Sequence, residues 1–208
     1  RAAELVAGAD ATPTLIVVHG PGGIGKSRLL DEIATRGRQS GRTVRRLRAE
    51  DIDGSSARPP QSGSALARRA AERLLLVIDD CDDSEVIERW ILQARFPASA
   101  CVLVVIATRK PPIEVKGTAQ RVRPVHFDLG ALSKAEAAEL LRGREVEAAL
   151  IPRLVALAAG HPLALVLLAE MVEQGISLPG SLDEVPDLLN ALVRRMADAT
   201  TDGDQRAA

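Results

Sequence analysis

Aromatic side chains are almost missing from this chain of 208 residues: Trp90, Phe96 and Phe127 are all it has, and there is no tyrosine. That counts against a stacking platform for single-stranded nucleic acid, which needs several rings on one surface. Excess charge of one sign is lacking as well. The formal net charge of −1 leaves no electrostatic footprint for DNA or for an anionic membrane. Cysteine is limited to Cys81 and Cys101, without zinc-ligand spacing, so free thiols in a reducing, cytoplasmic setting are expected. No apolar run approaches the ~18 residues that span a bilayer, and no signal-peptide pattern opens the chain. The start at Arg1 and the polar tail over 201–208 suggest a piece of something longer.

What is present is concentrated in one octapeptide. Residues 20–27 read Gly-Pro-Gly-Gly-Ile-Gly-Lys-Ser, a complete Gly-x4-Gly-Lys-Ser phosphate-binding loop, in a chain with only four lysines. Glycines let successive backbone N–H groups turn toward a di- or triphosphate. Lys26 adds a mobile cation, and a serine after the lysine is placed to coordinate Mg²⁺. The flanks fit. Thr14 to His19 is a short apolar run suited to a buried parallel strand, and Leu29, Leu30, Ile33 and Ala34 share one face of a following helix over 26–36. Gly37 stands where a C-terminal cap belongs. Gly20, Pro21, Gly22, Gly23, Ile24, Gly25, Lys26, Ser27 and Arg28 are the expected nucleotide-contacting residues, with ATP or ADP as cofactor.

Further along, apolar strands alternate with helical patterns. Strands are expected over 41–48, 74–78, 101–106 and 121–127, and helices over 1–12, 64–72 and 84–95, the last with Trp90 in its apolar face. The arginine-rich run over 41–48 reads as a strand near the sheet edge, or as a basic patch, although Glu50, Asp51 and Asp53 follow at once. This alternation predicts an α/β fold, a parallel sheet covered by helices on both faces. After residue 129 only helical signals appear: a capping box at Ser133 and Glu136, a helix over 147–159 stopped by Gly160, another opened by Pro162, and a last one over 186–198. The expected organisation is a P-loop core over 1–129, a small all-α domain over 130–200 and the polar tail.

Leu76-Val77-Ile78-Asp79-Asp80 is the second nucleotide motif. A strand that ends in a carboxylate delivers it to the carboxyl edge of the sheet, beside the phosphate loop. Asp79 is the expected Mg²⁺ ligand together with Ser27, and Asp80 the expected base for the attacking water. Capping of the next helix, the other use of such acids, suits Asp82, Asp83 and Ser84. Arg109 follows a third apolar strand. It either reaches a γ-phosphate, as a catalytic and reporting cation beside Lys26 and Asp80, or is a solvated residue opening the Lys110-Pro111-Pro112 loop.

These motifs, with Thr108-Arg109 and Gly160-His161-Pro162-Leu163 following in order, resemble the STAND class of signal-transduction NTPases. That class includes NB-ARC domains and the ATPase modules of bacterial LuxR-type and antibiotic-regulatory transcription factors. The resemblance covers about 12–175. It implies that Pro162 packs on the adenine or ribose, that Arg109 contacts the γ-phosphate, and that Asp79 and Asp80 serve Mg²⁺ and hydrolysis. It also implies a slow ATP-hydrolysing switch, flanked elsewhere by sensor and effector domains and open to nucleotide-dependent oligomerisation. Ala107 stands where the family often has a second Thr. His161 replaces a frequently apolar residue, as a turn histidine satisfied by backbone or as a nucleotide contact. A small-molecule kinase, a binding-only scaffold and an oligomeric AAA+-type ATPase, for which Arg153 is the candidate sensor arginine, are the rival readings.

Overall fold

A computed structural model describes residues 14–48, 73–83, 85–86, 102–110 and 124–178. Five strands form one sheet: β1 (Thr14–His19), β2 (Thr43–Arg48), β3 (Leu74–Asp79), β4 (Leu103–Thr108) and β5 (Pro124–Asp128). Their order is β2-β3-β4-β1-β5 and every pairing is parallel. β1 and β3, which precede the two motifs, are thus separated by β4. At roughly 4.8 Å per strand their ends stand about 10 Å apart, enough for a phosphate and a hydrated cation between them.

Near-continuous apolar sequence puts β1, β3 and β4 in the middle of the sheet, where both faces must be covered. One face carries Ile16, Val18, Leu75, Val77, Leu103, Val105 and Ala107, packed against Leu30, Ile33 and Ala34 of helix α1 (Lys26–Gln39). The alternate set, Leu15, Val17, Leu76, Ile78, Val104 and Ile106, is at most 4% exposed, so the second face is covered too. β2 lies at one end of the order, and its arginines serve the edge: Arg46 pairs with Asp31 of α1.

Two expectations about this half are corrected. α1 does not end at Gly37 but continues to Gln39, and Gly41 takes the left-handed backbone (φ 77°) after it. Gly37 is there for packing. A Cβ at this position would come within 2.5 Å of Leu75 Cδ2, so a larger residue would force the buried Leu75 or the helix to shift. β4 also runs to Thr108 rather than ending at 106, leaving Arg109 as the first residue beyond the strand. The helices expected over 1–12, 64–72, 84–95 and 186–198, with Trp90, lie outside the described residues, apart from a helical pair at 85–86.

Internal contacts divide the chain into two units, 1–129 and 130–208. The described part of the second unit is helical: α2 (Lys134–Arg142), α3 (Ile151–Ala158) and α4 (Pro162–Glu173). Ser133 caps α2 with a reciprocal box, its Oγ accepting from the Glu136 N–H while the Glu136 carboxylate accepts from the Ser133 N–H at 2.8 Å. α3 is shorter than its pattern suggested, because Pro152 belongs in a first turn and residues 148–150 form the turn before it. Ala137, Leu141, Leu154, Leu165, Leu168 and Ala169 build the core of this unit. Gly160 joins α3 to α4 with φ 77°, and a Cβ there would lie 2.3 Å from the Leu132 carbonyl oxygen. Both backbone and space demand glycine.

Candidate functional site

The carboxyl ends of β1, β3 and β4 meet at one edge, and the chain between β1 and α1 wraps over it. Gly23 and Gly25 adopt left-handed backbone (φ 70° and 102°), which turns the loop tightly enough for α1 to begin at Lys26. No side chain caps the α1 N-terminus and its first turn holds no acid, in contrast to α2 with its capping box. The uncapped N–H groups and the positive end of the helix dipole therefore face the loop without an internal anion. Ile24 is buried, so its contribution here is backbone only.

Lys26 is only 9% exposed. Its Nζ donates to the carbonyls of Gly20 (2.7 Å) and Pro21 (2.8 Å), folding the lysine into the curl of its own loop. Burial, followed by repulsion from Arg109, lowers the Lys26 pKa, while Asp82, Asp79 and Asp80 act to raise it.

A cavity of about 530 Å³ opens at this edge, lined by Gly22, Gly23, Gly25, Lys26, Ser27, Arg28, Asp79, Asp80 and Arg109. Nine of the positions singled out in the sequence are therefore brought together, and Gly20 and Pro21 hold the lysine from behind. Three lining cations against two carboxylates favour an anion. Pro162 stands in the second unit as the first residue of α4. His161 precedes it as the N-cap, its Nδ1 accepting from the Ala164 N–H at 3.4 Å, the backbone-satisfied alternative of the two readings.

The acids after β3 divide their work. Asp79 Oδ1 accepts the Asp80 N–H at 2.9 Å, and Asp80 takes a left-handed conformation (φ 55°) that aspartate tolerates better than most residues. Asp83 caps the following turn, accepting from Glu85 N (2.9 Å) and Val86 N (3.3 Å). Asp82, which the sequence assigned to the same capping role, does something else. Its Oδ1 accepts the Arg109 backbone N–H at 2.7 Å and its Oδ2 accepts Arg109 Nε at 2.6 Å. Arg109 Nη2 also donates to Asp80 Oδ1 at 2.9 Å. The Asp82 pKa is lowered, chiefly by the bond from the Arg109 main chain and then by the guanidinium. The Arg109 pKa is raised by the same pairing. Arg109 is thus ion-paired while its side chain stays about half exposed on the cavity rim.

Two residues already noted in the sequence, Thr108 as part of the Thr-Arg motif and Cys81 as a free thiol, support the site without lining the cavity. Thr108 is buried, and its Oγ1 accepts the Lys110 N–H at 3.1 Å, shaping the turn that presents Arg109. Cys81 is fully buried and its N–H donates to the Ala107 carbonyl at 3.0 Å, tying the acidic segment to the end of β4. Burial raises the Cys81 thiol to about 11, which makes it a packing group. The Asp-Asp-Cys-Asp-Asp run carried the signal for this segment, but only the strand order reveals which acid faces the arginine.

Among the described residues no group of three or more His, Cys, Asp and Glu could hold a metal by itself. One carboxylate and one hydroxyl, Asp79 and Ser27, on the same cavity do fit Mg²⁺, which keeps several waters and takes further oxygens from phosphate. No described helix is long and apolar enough to cross a membrane.

Solved structures carry the same architecture. A STAND protein (signal transduction ATPase with numerous domains) with a tetratricopeptide repeat sensor, from Pyrococcus horikoshii, matches 92% of the chain at a TM-score of 0.58 and 18% identity. Domain III of the replication initiation protein DnaA from Thermotoga maritima matches 91% at 0.55 and 14% identity. The chain has the α/β fold of a P-loop NTPase. A replication initiator DnaA bound to AMPPCP and single-stranded DNA matches 94% at 0.51 and 14% identity. The chain spans 32% of the length of the Pyrococcus protein, 63% of that DnaA and 89% of the Thermotoga domain. No protein-family model and no curated protein matches the chain.

Proposed function

We propose that the chain is an ATP-binding switch module that hydrolyses ATP slowly, within a larger regulator. The observation that carries this reading is the single cavity that gathers the phosphate loop, Ser27, two strand-end carboxylates and Arg109. A site for a phosphate alone would need only the loop. The second set of groups suits a triphosphate whose terminal phosphoryl is to be transferred to water.

In this mechanism the loop N–H groups and the α1 N-terminus bind the β-phosphate, and Lys26 spans the β- and γ-phosphates. Ser27 and Asp79 would hold Mg²⁺, which neutralises the charge that builds on the phosphate oxygens. Asp80 accepts a proton from water as its oxygen attacks the γ-phosphorus. The bond from that phosphorus to the bridging oxygen breaks, and ADP and inorganic phosphate leave. Arg109 meets the γ-phosphate, a group ADP lacks, so its contacts differ between the two nucleotide states. The STAND resemblance assigns Pro162 to the base. The fold likeness to a signal transduction ATPase and to a DnaA bound to AMPPCP supports the ATP assignment.

The test is turnover in Asp80→Asn. Asparagine also tolerates the left-handed backbone at this position, so the substitution removes the base with little strain. Hydrolysis should fall by about 100-fold or more, while ATP affinity stays within about threefold. Hydrolysis at the wild-type rate would refute the role of Asp80. Absence of Mg·ATP binding in the wild-type protein would refute the assignment altogether. For Pro162, hydrogen exchange over residues 158–166 should slow on adding Mg·ATP, and equal exchange would remove that contact.

A further inference from the structure

Resting on the reading of this cavity as a nucleotide site, we propose that Asp82 is a positioning residue that sets Arg109 for the γ-phosphate. The carboxylate grips one residue twice, by the main-chain N–H (2.7 Å) and by Nε (2.6 Å), which fixes both where Arg109 starts and how its side chain leaves the backbone. The grip is itself anchored. Cys81, one residue earlier, is fully buried and bonded to the end of β4, and Asp83, one residue later, is committed to the turn at 85–86. Asp82 therefore cannot follow the arginine away from the sheet edge. On the far side, buried Thr108 closes the turn through Lys110 N.

A guanidinium has five N–H donors in a rigid plane. The Nε and Nη2 groups form one edge of that plane, and Asp82 and Asp80 occupy one hydrogen of each. The two hydrogens on Nη1 and the second on Nη2 have no partner among the described residues, and Arg109 lines the cavity. A planar fork held along one edge presents the other edge in a defined direction, the arrangement that suits a tetrahedral oxyanion. Without Asp82, the only carboxylate left on Arg109 among the described residues is Asp80, the proposed base. The arginine would then lose its second anchor and hold the base more fully, which penalises ATP and hydrolysis but not ADP.

The experiment compares Mg·ATP and Mg·ADP affinities, by titration calorimetry, for wild type, Asp82→Asn, Arg109→Ala and the double variant. Asparagine keeps an acceptor for the Arg109 N–H but not the charge on the Nε side. Wild type should prefer ATP, and Asp82→Asn should weaken ATP by about tenfold with ADP within about twofold. The double variant should lose no more than Arg109→Ala alone, because both substitutions act through one group. Additive losses, or equal losses for ATP and ADP, would make Asp82 a structural acid and overturn the proposal. Wild-type protein that binds neither nucleotide would instead overturn the nucleotide reading, and this inference with it. A second measurement needs no ligand: Asp82→Ala should speed exchange of the Arg109 amide in nucleotide-free protein, and unchanged exchange would overturn the clamp.

Discussion

Replacing Lys26 by alanine tests the heart of the site. Its ammonium has three donors, and two are taken by the Gly20 and Pro21 carbonyls at 2.7 and 2.8 Å. The third can meet a phosphate oxygen without breaking either bond. The loss on substitution is therefore one hydrogen bond between charged groups, about 1.5–3 kcal/mol, or roughly 10- to 150-fold in affinity. Neighbouring charge pushes the figure toward the upper end, because Asp79 and Asp80 would then face the phosphates with one countercharge fewer. Both Mg·ATP and Mg·ADP should suffer, since the lysine reaches the β-phosphate that the two share. Calorimetry supplies the affinities, and thermal unfolding of the nucleotide-free variant shows whether the loop survives losing its two internal bonds. A folded Lys26→Ala protein that binds ATP within about threefold of wild type would refute the reasoning.

Other outcomes follow from the geometry. Gly160→Ala combines a left-handed backbone with a Cβ 2.3 Å from the Leu132 oxygen, so urea unfolding should show a loss of about 2–5 kcal/mol, and a change below about 0.5 kcal/mol would contradict it. In a Cys101→Ser background, Cys81 should react with a disulfide reagent at neutral pH only after denaturation, given full burial and a pKa near 11; fast labelling of the native protein would be inconsistent with this. Asp82 has its pKa depressed below the ordinary 3.8, so the stability from its Arg109 pair is complete above that value and is lost as pH falls through the lower folded-state pKa. Protection of the Arg109 amide, corrected for intrinsic exchange, should then be flat from neutral to mildly acidic pH, and a decline near neutrality would argue for another titrating group.

Much of this molecule is legible along the chain because its signals are local. Leu15 to Val18, Leu74 to Ile78 and Val102 to Ile106 are apolar without interruption, the mark of strands covered on both faces, and the structure buries all of them. The phosphate loop needs residues adjacent in sequence, as does the Ser133–Glu136 box, so both are complete motifs before any folding is considered. Gly37 shows where local reasoning ends. A glycine after an amphipathic run looks like a cap, yet its reason is the approach of Leu75, a residue 38 positions further on. Asp82 and Arg109 show it at the site itself. Four acids in five residues, each able to cap a helix or meet a cation, cannot be told apart until β3 is laid beside β4. That pairing sets Cys81 on Ala107 and so turns Asp82 toward Arg109. Motifs confined to consecutive residues are written in the order of side chains, whereas partners 27 residues apart are decided by strand order and register, which only tertiary packing supplies.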